Sequence, residues 1–241
     1  MKTHAWVAAG MLTVVSAFAQ DGRVVSQSAW GGAQGVNGSV EAIAVQADGK
    51  IVIGGNFESV NGVPRSNLAR LNPDGTLDRT FADSVIAGTN GRVAALAIRP
   101  DGSIVVGGAF TQAGGKNVQN VTLYRPDGSV DESFASKGSI GASGPVLAIA
   151  VQADGKTVIG GKFSQIAGRQ RISLARINTD GTLDNEPLPP RGEIDGPVSA
   201  VAPVGTASAL AGGEFNATDQ AAQSLYKLPD PAASPTPADP D

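Results

Sequence analysis

The chain repeats itself at a fixed interval. An Asp-Gly pair stands at Asp48, Asp101 and Asp154, and a second at Asp74, Asp127 and Asp180, each series spaced by 53 residues. A Gly-Gly pair begins at Gly54, Gly107, Gly160 and Gly212, and an aromatic follows each time, at Phe57, Phe110, Phe163 and Phe215. Residues 40–50 return as 146–156 with one difference, Glu41 against Leu147. A period of this length marks one supersecondary unit that buries its apolar surface against copies of itself.

Each copy reads as four short strands. In the first, these are 40–46, 50–57, 67–72 and 76–81, strands A to D. Asp48-Gly49 and Asp74-Gly75 separate A from B and C from D, and Asp-Gly predicts a two-residue hairpin turn because it supplies positive φ angles. Four strands in about 50 residues make a propeller blade. The expected fold is therefore all-β: a β-propeller of four four-stranded blades over 20–228, with repeats at 40–81, 93–134, 146–187 and 198–228. The last copy lacks strand D. Asp21, Gly22, Val24, Val25 and Trp30 are similar to one, so 22–30 is expected to complete that blade and close the ring. The alternative is two chains sharing one larger ring. Ala42, Ala95, Ala148 and Ala200 share one repeat position, and Ala44, Ala97, Ala150 and Ala202 another. Small residues on one face of strand A fit a tight, tapering centre.

The pattern A-I-A-V-Q-A-D-G-K-I-V-I-G-G-x-F at 42–57, followed by L-A-R-L-N-P-D-G-T-L-D-x-x-F at 68–81, resembles the delta-60 repeat of bacterial secreted and surface proteins. The resemblance covers about 40–228. It implies a β-propeller and implies no catalytic residue. The Gly-Gly pair is also similar to that of kelch repeats, but the Tyr and Trp that kelch blades carry further on are absent.

Composition narrows the chemistry. The chain has no Cys, and its single His is His4. Residues 1–19 read as a secretory signal, with Lys2 ahead of an apolar run and Ala17-Phe18-Ala19 as a small-x-small cleavage site. A mature chain from Gln20 then has neither His nor Cys. It can build no Ser-His-Asp triad, no Cys-His pair and no His/Cys zinc site. The expected location is secreted, periplasmic or cell-surface. The net charge of −4 gives no footprint for nucleic acid, and no membrane insertion is expected. Residues 229–241 hold five Pro among Ala, Ser, Thr and Asp, which reads as a disordered tail.

Strand parity puts the A–B and C–D turns at one end of each blade and the longer, varied B–C and D–A loops at the other. Loops on a rigid scaffold carry function, so the loop end is the expected binding face. There the residue between Gly-Gly and Phe varies: Asn56, Ala109, Lys162 and Glu214. Arg65 and Arg171 share a nearby loop position. Asn56, Arg65, Lys162, Arg171 and Glu214 are the candidate ligand-binding residues, for a protein, glycan or small polar ligand. A weaker alternative is calcium. Asn72, Asp74 and Asp78, repeated as Asn178, Asp180 and Asp184, space oxygen ligands as hard-cation loops do, although Arg125 breaks the pattern in the second copy. A glycoside hydrolase would need paired carboxylates, and no two acids of the loop end are forced together by spacing. The expected protein is a non-catalytic scaffold without cofactor, as a monomer or homodimer.

Overall fold

The computed structural model describes residues 35–82, 87–132, 141–185, 194–205, 208–215 and 225–227. Four antiparallel three-stranded sheets follow one another along the chain. The first holds β1 (Ser39–Val45), β2 (Ile51–Asn56) and β5 (Leu68–Leu71), with a short hairpin of β3 (Ser59–Val60) and β4 (Val63–Pro64) between β2 and β5. The second holds β6 (Arg92–Ile98), β7 (Ile104–Ala109) and β10 (Val121–Tyr124), with the hairpin β8 (Gln112–Ala113) and β9 (Lys116–Asn117). The third holds β11 (Val146–Val151), β12 (Thr157–Gly161) and β15 (Leu174–Ile177), with the hairpin β13 (Gln165–Ile166) and β14 (Arg169–Gln170). The fourth holds β16 (Val198–Val204), β17 (Ser208–Gly213) and β18 (Leu225–Lys227).

Strands A, B and C are thus present in every copy. Strand D is smaller than expected. It is a single bridge pair on the outer edge, Leu71 with Leu77, Tyr124 with Val130 and Ile177 with Leu183. The expected closing segment, 22–30, lies outside the described residues.

The Asp-Gly turns also differ from the expected type. Gln46 donates its N–H to the Lys50 carbonyl and accepts from Gly49, so the A–B loop has three residues, 47–49. Gly49 takes φ +82°, whereas Asp48 does not enter the left-handed region. This is a type I turn closed by a glycine bulge. The aspartate serves as an acceptor across the turn. Asp48 Oδ1 receives the Lys50 N–H at 3.1 Å, and Asp74 Oδ1 receives the N–H and hydroxyl of Thr76 at 2.9 and 2.6 Å.

A β-bulge sets how the sheets stack. In each strand A the register shifts by one residue: between Val40 and Ala42, Val93 and Ala95, Val146 and Ala148, and Val198 and Ala200. Residues three apart then face the same way. Val93 and Leu96 together cover Gly54 of the preceding sheet, Val146 and Ile149 cover Gly107, and Val198 and Val201 cover Gly160. A Cβ on Gly54 would lie 2.4 Å from Val93 Cγ1, so the first glycine of each pair is the socket for the next sheet. The second glycine has a different neighbour. A Cβ on Gly55 would lie 1.9 Å from the Ser39 carbonyl oxygen, where the sheet's own bulged strand crosses.

The core is accordingly a row of joints. One cluster joins Ala44, Val52 and Leu68 of the first sheet to Val93, Leu96, Ile104, Val106 and Tyr124 of the second. The next joins Val105 and Val121 to Val146, Ile159 and Ile177. The third joins Val158 and Leu174 to Val198, Ala209 and Tyr226. Ala42 and Ala44 therefore line a joint. Their small size makes room for the bulkier face of the next sheet, not only for a narrow centre. Burying each such valine, leucine or isoleucine contributes about 1.5–3 kcal/mol.

Asparagines tie the first two joints at the loop end. Asn67 and Asn120, expected as a strand residue and a loop residue, both take positive φ, at 62° and 64°. Asn67 Nδ2 donates to the Thr89 carbonyl of the next sheet at 2.9 Å, and Asn120 Nδ2 to that of Ala142 at 2.8 Å.

Candidate binding face

The two ends of the sheets use their polar side chains differently. At the turn end the charges satisfy one another. Asp78 Oδ2 accepts from Lys50 Nζ at 2.8 Å and from Arg70 Nε at 2.8 Å. The guanidinium of Arg70 lies over the Phe81 ring, 4.5 Å from its centroid, and Arg70 Nη1 reaches the Pro126 carbonyl of the next sheet at 2.6 Å. Asp184 repeats the arrangement with Lys156 at 3.0 Å and the fully buried Arg176 at 2.7 Å. Arg99 is buried and donates to the carbonyls of Thr179 and Asn178, at 3.1 and 3.4 Å. Burial raises the Asp78 carboxyl. The hydrogen bonds from Lys50, Thr80 and Arg70 outweigh that and hold it well below the usual carboxylate range.

These partners bear on the calcium alternative. Asp78 and Asp184 are engaged by side-chain cations. Asp74 and Asp180 accept within their own turns, and Asn72 and Asn178 donate to the hydroxyls of Thr76 and Thr182 at 2.9 and 3.0 Å. Among the described residues, no three His, Cys, Asp or Glu converge as a metal site would require.

At the loop end, the four residues at the varied position occupy the same rung of the four sheets. Asn56 pairs with Ser39 and Ala109 with Arg92. Lys162 donates its N–H to the Pro145 carbonyl at 2.8 Å, and Glu214 to that of Pro197 at 3.2 Å. All four are exposed. Among the described residues, the side chains of Lys162 and Glu214 have no hydrogen-bond or ion-pair partner. The rung offers an ammonium, a carboxylate and a carboxamide, a mixed set of donors and acceptors.

The arginines expected beside them behave otherwise. Arg65 is buried, and its Nη1 donates to the Pro64 carbonyl at 2.9 Å. Arg171 donates to the carbonyls of Gln170, Asp184 and Asn185 at 2.9, 3.2 and 3.4 Å. Both are anchored to the loop backbone. Sequence reasoning also passed over Glu41 and Arg92, which form an ion pair across the first joint. The available signal was that Glu41 is the one difference between two otherwise identical eleven-residue segments.

Sheet order, repeated joints and short outer bridges define an all-β chain of β-propeller repeats. Three segments, 46–81, 99–134 and 152–186, match a family model described as a domain of unknown function (DUF5122) beta-propeller, which supports a β-propeller repeat family. No curated protein matches the chain. Among solved structures, a virginiamycin B lyase from Staphylococcus aureus is 13% identical with a TM-score of 0.42, over 80% of this chain and 57% of that one. A candidate gluconolactonase is 16% identical with a TM-score of 0.43, over 80% and 58%. An inactive variant of the S. aureus lyase with quinupristin is 15% identical with a TM-score of 0.36, over 83% and 59%. This chain thus spans less than two thirds of the solved chains it matches.

Proposed function

We propose that the protein is an exported, non-catalytic scaffold of the delta-60 repeat kind that binds a small polar or glycan ligand on its loop end. The observation that carries this reading is the contrast between the paired charges around Asp78 and Asp184 and the open side chains on one loop-end rung. Turn-end charges are engaged in ion pairs and carbonyl contacts, whereas Lys162, Glu214 and Asn56 stand exposed on one rung of a rigid frame. The missing His and Cys beyond His4 support a binding role, because nucleophile–base pairs built on them are unavailable.

The test is binding of the intact protein to a glycan array, compared with the double variant Lys162→Ala/Glu214→Ala. Bound glycans should be lost in the variant while its circular dichroism and melting stay those of the parent. Unchanged array binding would remove this rung from the site. Turnover of a glycoside panel, abolished by Glu214→Gln, would replace the scaffold reading with a hydrolase.

A further inference from the structure

The three joints described above leave two half-joints over. The first sheet presents the bulky half. Ile51, Ile53, Phe57, Val60, Leu71 and Leu77 form a cluster with no described residue of another sheet in it. In the second sheet the corresponding residues, Ile104, Val106, Phe110, Ala113, Tyr124 and Val130, are packed against the first sheet. In front of the leftover cluster, Val40 and Ile43 are 38% and 56% exposed, whereas Val93 and Leu96 at the same repeat positions are 0% and 8%.

The fourth sheet presents the socket half. Ala202, Leu210, Gly212 and Leu225 correspond to Ala44, Val52, Gly54 and Leu68. Leu225 is 50% exposed, while Leu68, Val121 and Leu174 are at most 1% exposed. Five large apolar side chains are exposed among the described residues. Val40, Ile43, Val45 and Leu225 are four of them, and all four lie on these two end faces. Among the described residues of one chain the halves do not pack on each other. β1 packs on β6, β6 on β11 and β11 on β16, with no such packing of β16 on β1.

We propose that two copies of this chain close head to tail, the first sheet of each seated on the fourth sheet of the other. The occupant follows from the repeat. The exposed knobs Val40 and Ile43 match those that fill Gly54, Gly107 and Gly160, and the exposed socket around Gly212 matches those that receive them. Polar chemistry agrees as well. Lys227 stands at the position of Arg70, and Pro73 at that of Pro126, whose carbonyl Arg70 binds across the first joint. Two such joints are related by a two-fold axis and give a closed ring. Four described sheets from each copy bring it to the upper end of the roughly 4–8 blades that propellers use, and a third copy would exceed that range.

The test uses two single-cysteine variants, Val40→Cys and Gly212→Cys, in a chain that has no cysteine of its own. In the filled joints the valine Cβ lies 3.1 Å from a Cβ built on the glycine, so a shift of a few tenths of an ångström reaches disulfide spacing. Mixed and oxidised, the two variants should give a covalent dimer that reduction dissolves and that neither forms alone. The parent should run at twice the chain mass by light scattering. Ile43→Asp and Leu225→Asp should each halve that mass with circular dichroism unchanged. A parent of single-chain mass whose mixed variants fail to cross-link would overturn the proposal. So would a Val40→Cys/Gly212→Cys double variant that cross-links within one chain or forms a ladder beyond two copies.

Discussion

Residues 40–50 and 146–156 are the same peptide but for Glu41 against Leu147, yet Val40 is 38% exposed and Val146 is fully buried. Both sit at the same bulge, in the same strand, ahead of the same turn. The difference lies in the neighbour. Val146 lies over Gly107 of the preceding sheet, and no described sheet precedes Val40. Local sequence dictates the strand and its faces, and the adjoining unit decides what those faces contribute, as expected of a stacked repeat.

Substitutions can sharpen that contrast. The largest effect belongs to Val146→Asp, which buries a carboxylate with no partner and should destabilise the chain by at least about 4 kcal/mol in urea unfolding. Val40→Asp should cost a single chain about 0.5 kcal/mol or less and be seen instead in the assembly state. Next comes Asp184→Ala, which removes the carboxylate that accepts from the buried Arg176 and from Lys156 and should cost about 3–5 kcal/mol. Its counterpart in the second sheet, Asp131→Ala, breaks a pair with the half-exposed Arg125 and should cost about 1 kcal/mol or less. Leu174→Ala should cost about 2–5 kcal/mol, and Leu225→Ala clearly less in a single chain. Equal losses at Leu174 and Leu225 would show that the fourth sheet is already covered.

The smallest effect is pH-dependent. Asp78 is held below its unfolded value, so its contribution is complete above about pH 4 and fades as pH falls through the folded value. The melting-temperature gap between the parent and Asp78→Asn should therefore be constant at neutral pH and narrow on acidification below about 4. A gap that widens in acid would contradict the ion-pair role.

Period, strands A to C, the Gly-Gly pairs and the buried phenylalanines were all legible in the sequence, because each copy repeats the same structural demand. What escaped was whatever depends on one inserted residue or one neighbour. Strict alternation puts Val40 and Ile43 on opposite faces, and the bulge puts them on one. Asp-Gly suggests two positive φ angles, but the aspartate side chain caps the turn from an ordinary conformation, leaving only the glycine left-handed. The rung at Asn56, Ala109, Lys162 and Glu214 could be found because it varies within a constant frame. The fates of Arg65 and Arg171 could not, because residue type does not say that a guanidinium turns back onto backbone carbonyls, of Pro64 for Arg65 and of Gln170 and Asp184 for Arg171.

The bulge has a further consequence. The residue it inserts is Glu41, Ala94, Leu147 or Ser199, depending on the copy. Standing outside the hydrogen-bonded count of its strand, it is the one position of strand A whose identity neither the ladder nor the stacking prescribes. Four such positions recur at the same place in the four described sheets. Mutation can write charge, bulk or nothing there without disturbing the frame, so a chain built of near-identical units still has somewhere to make each unit individual.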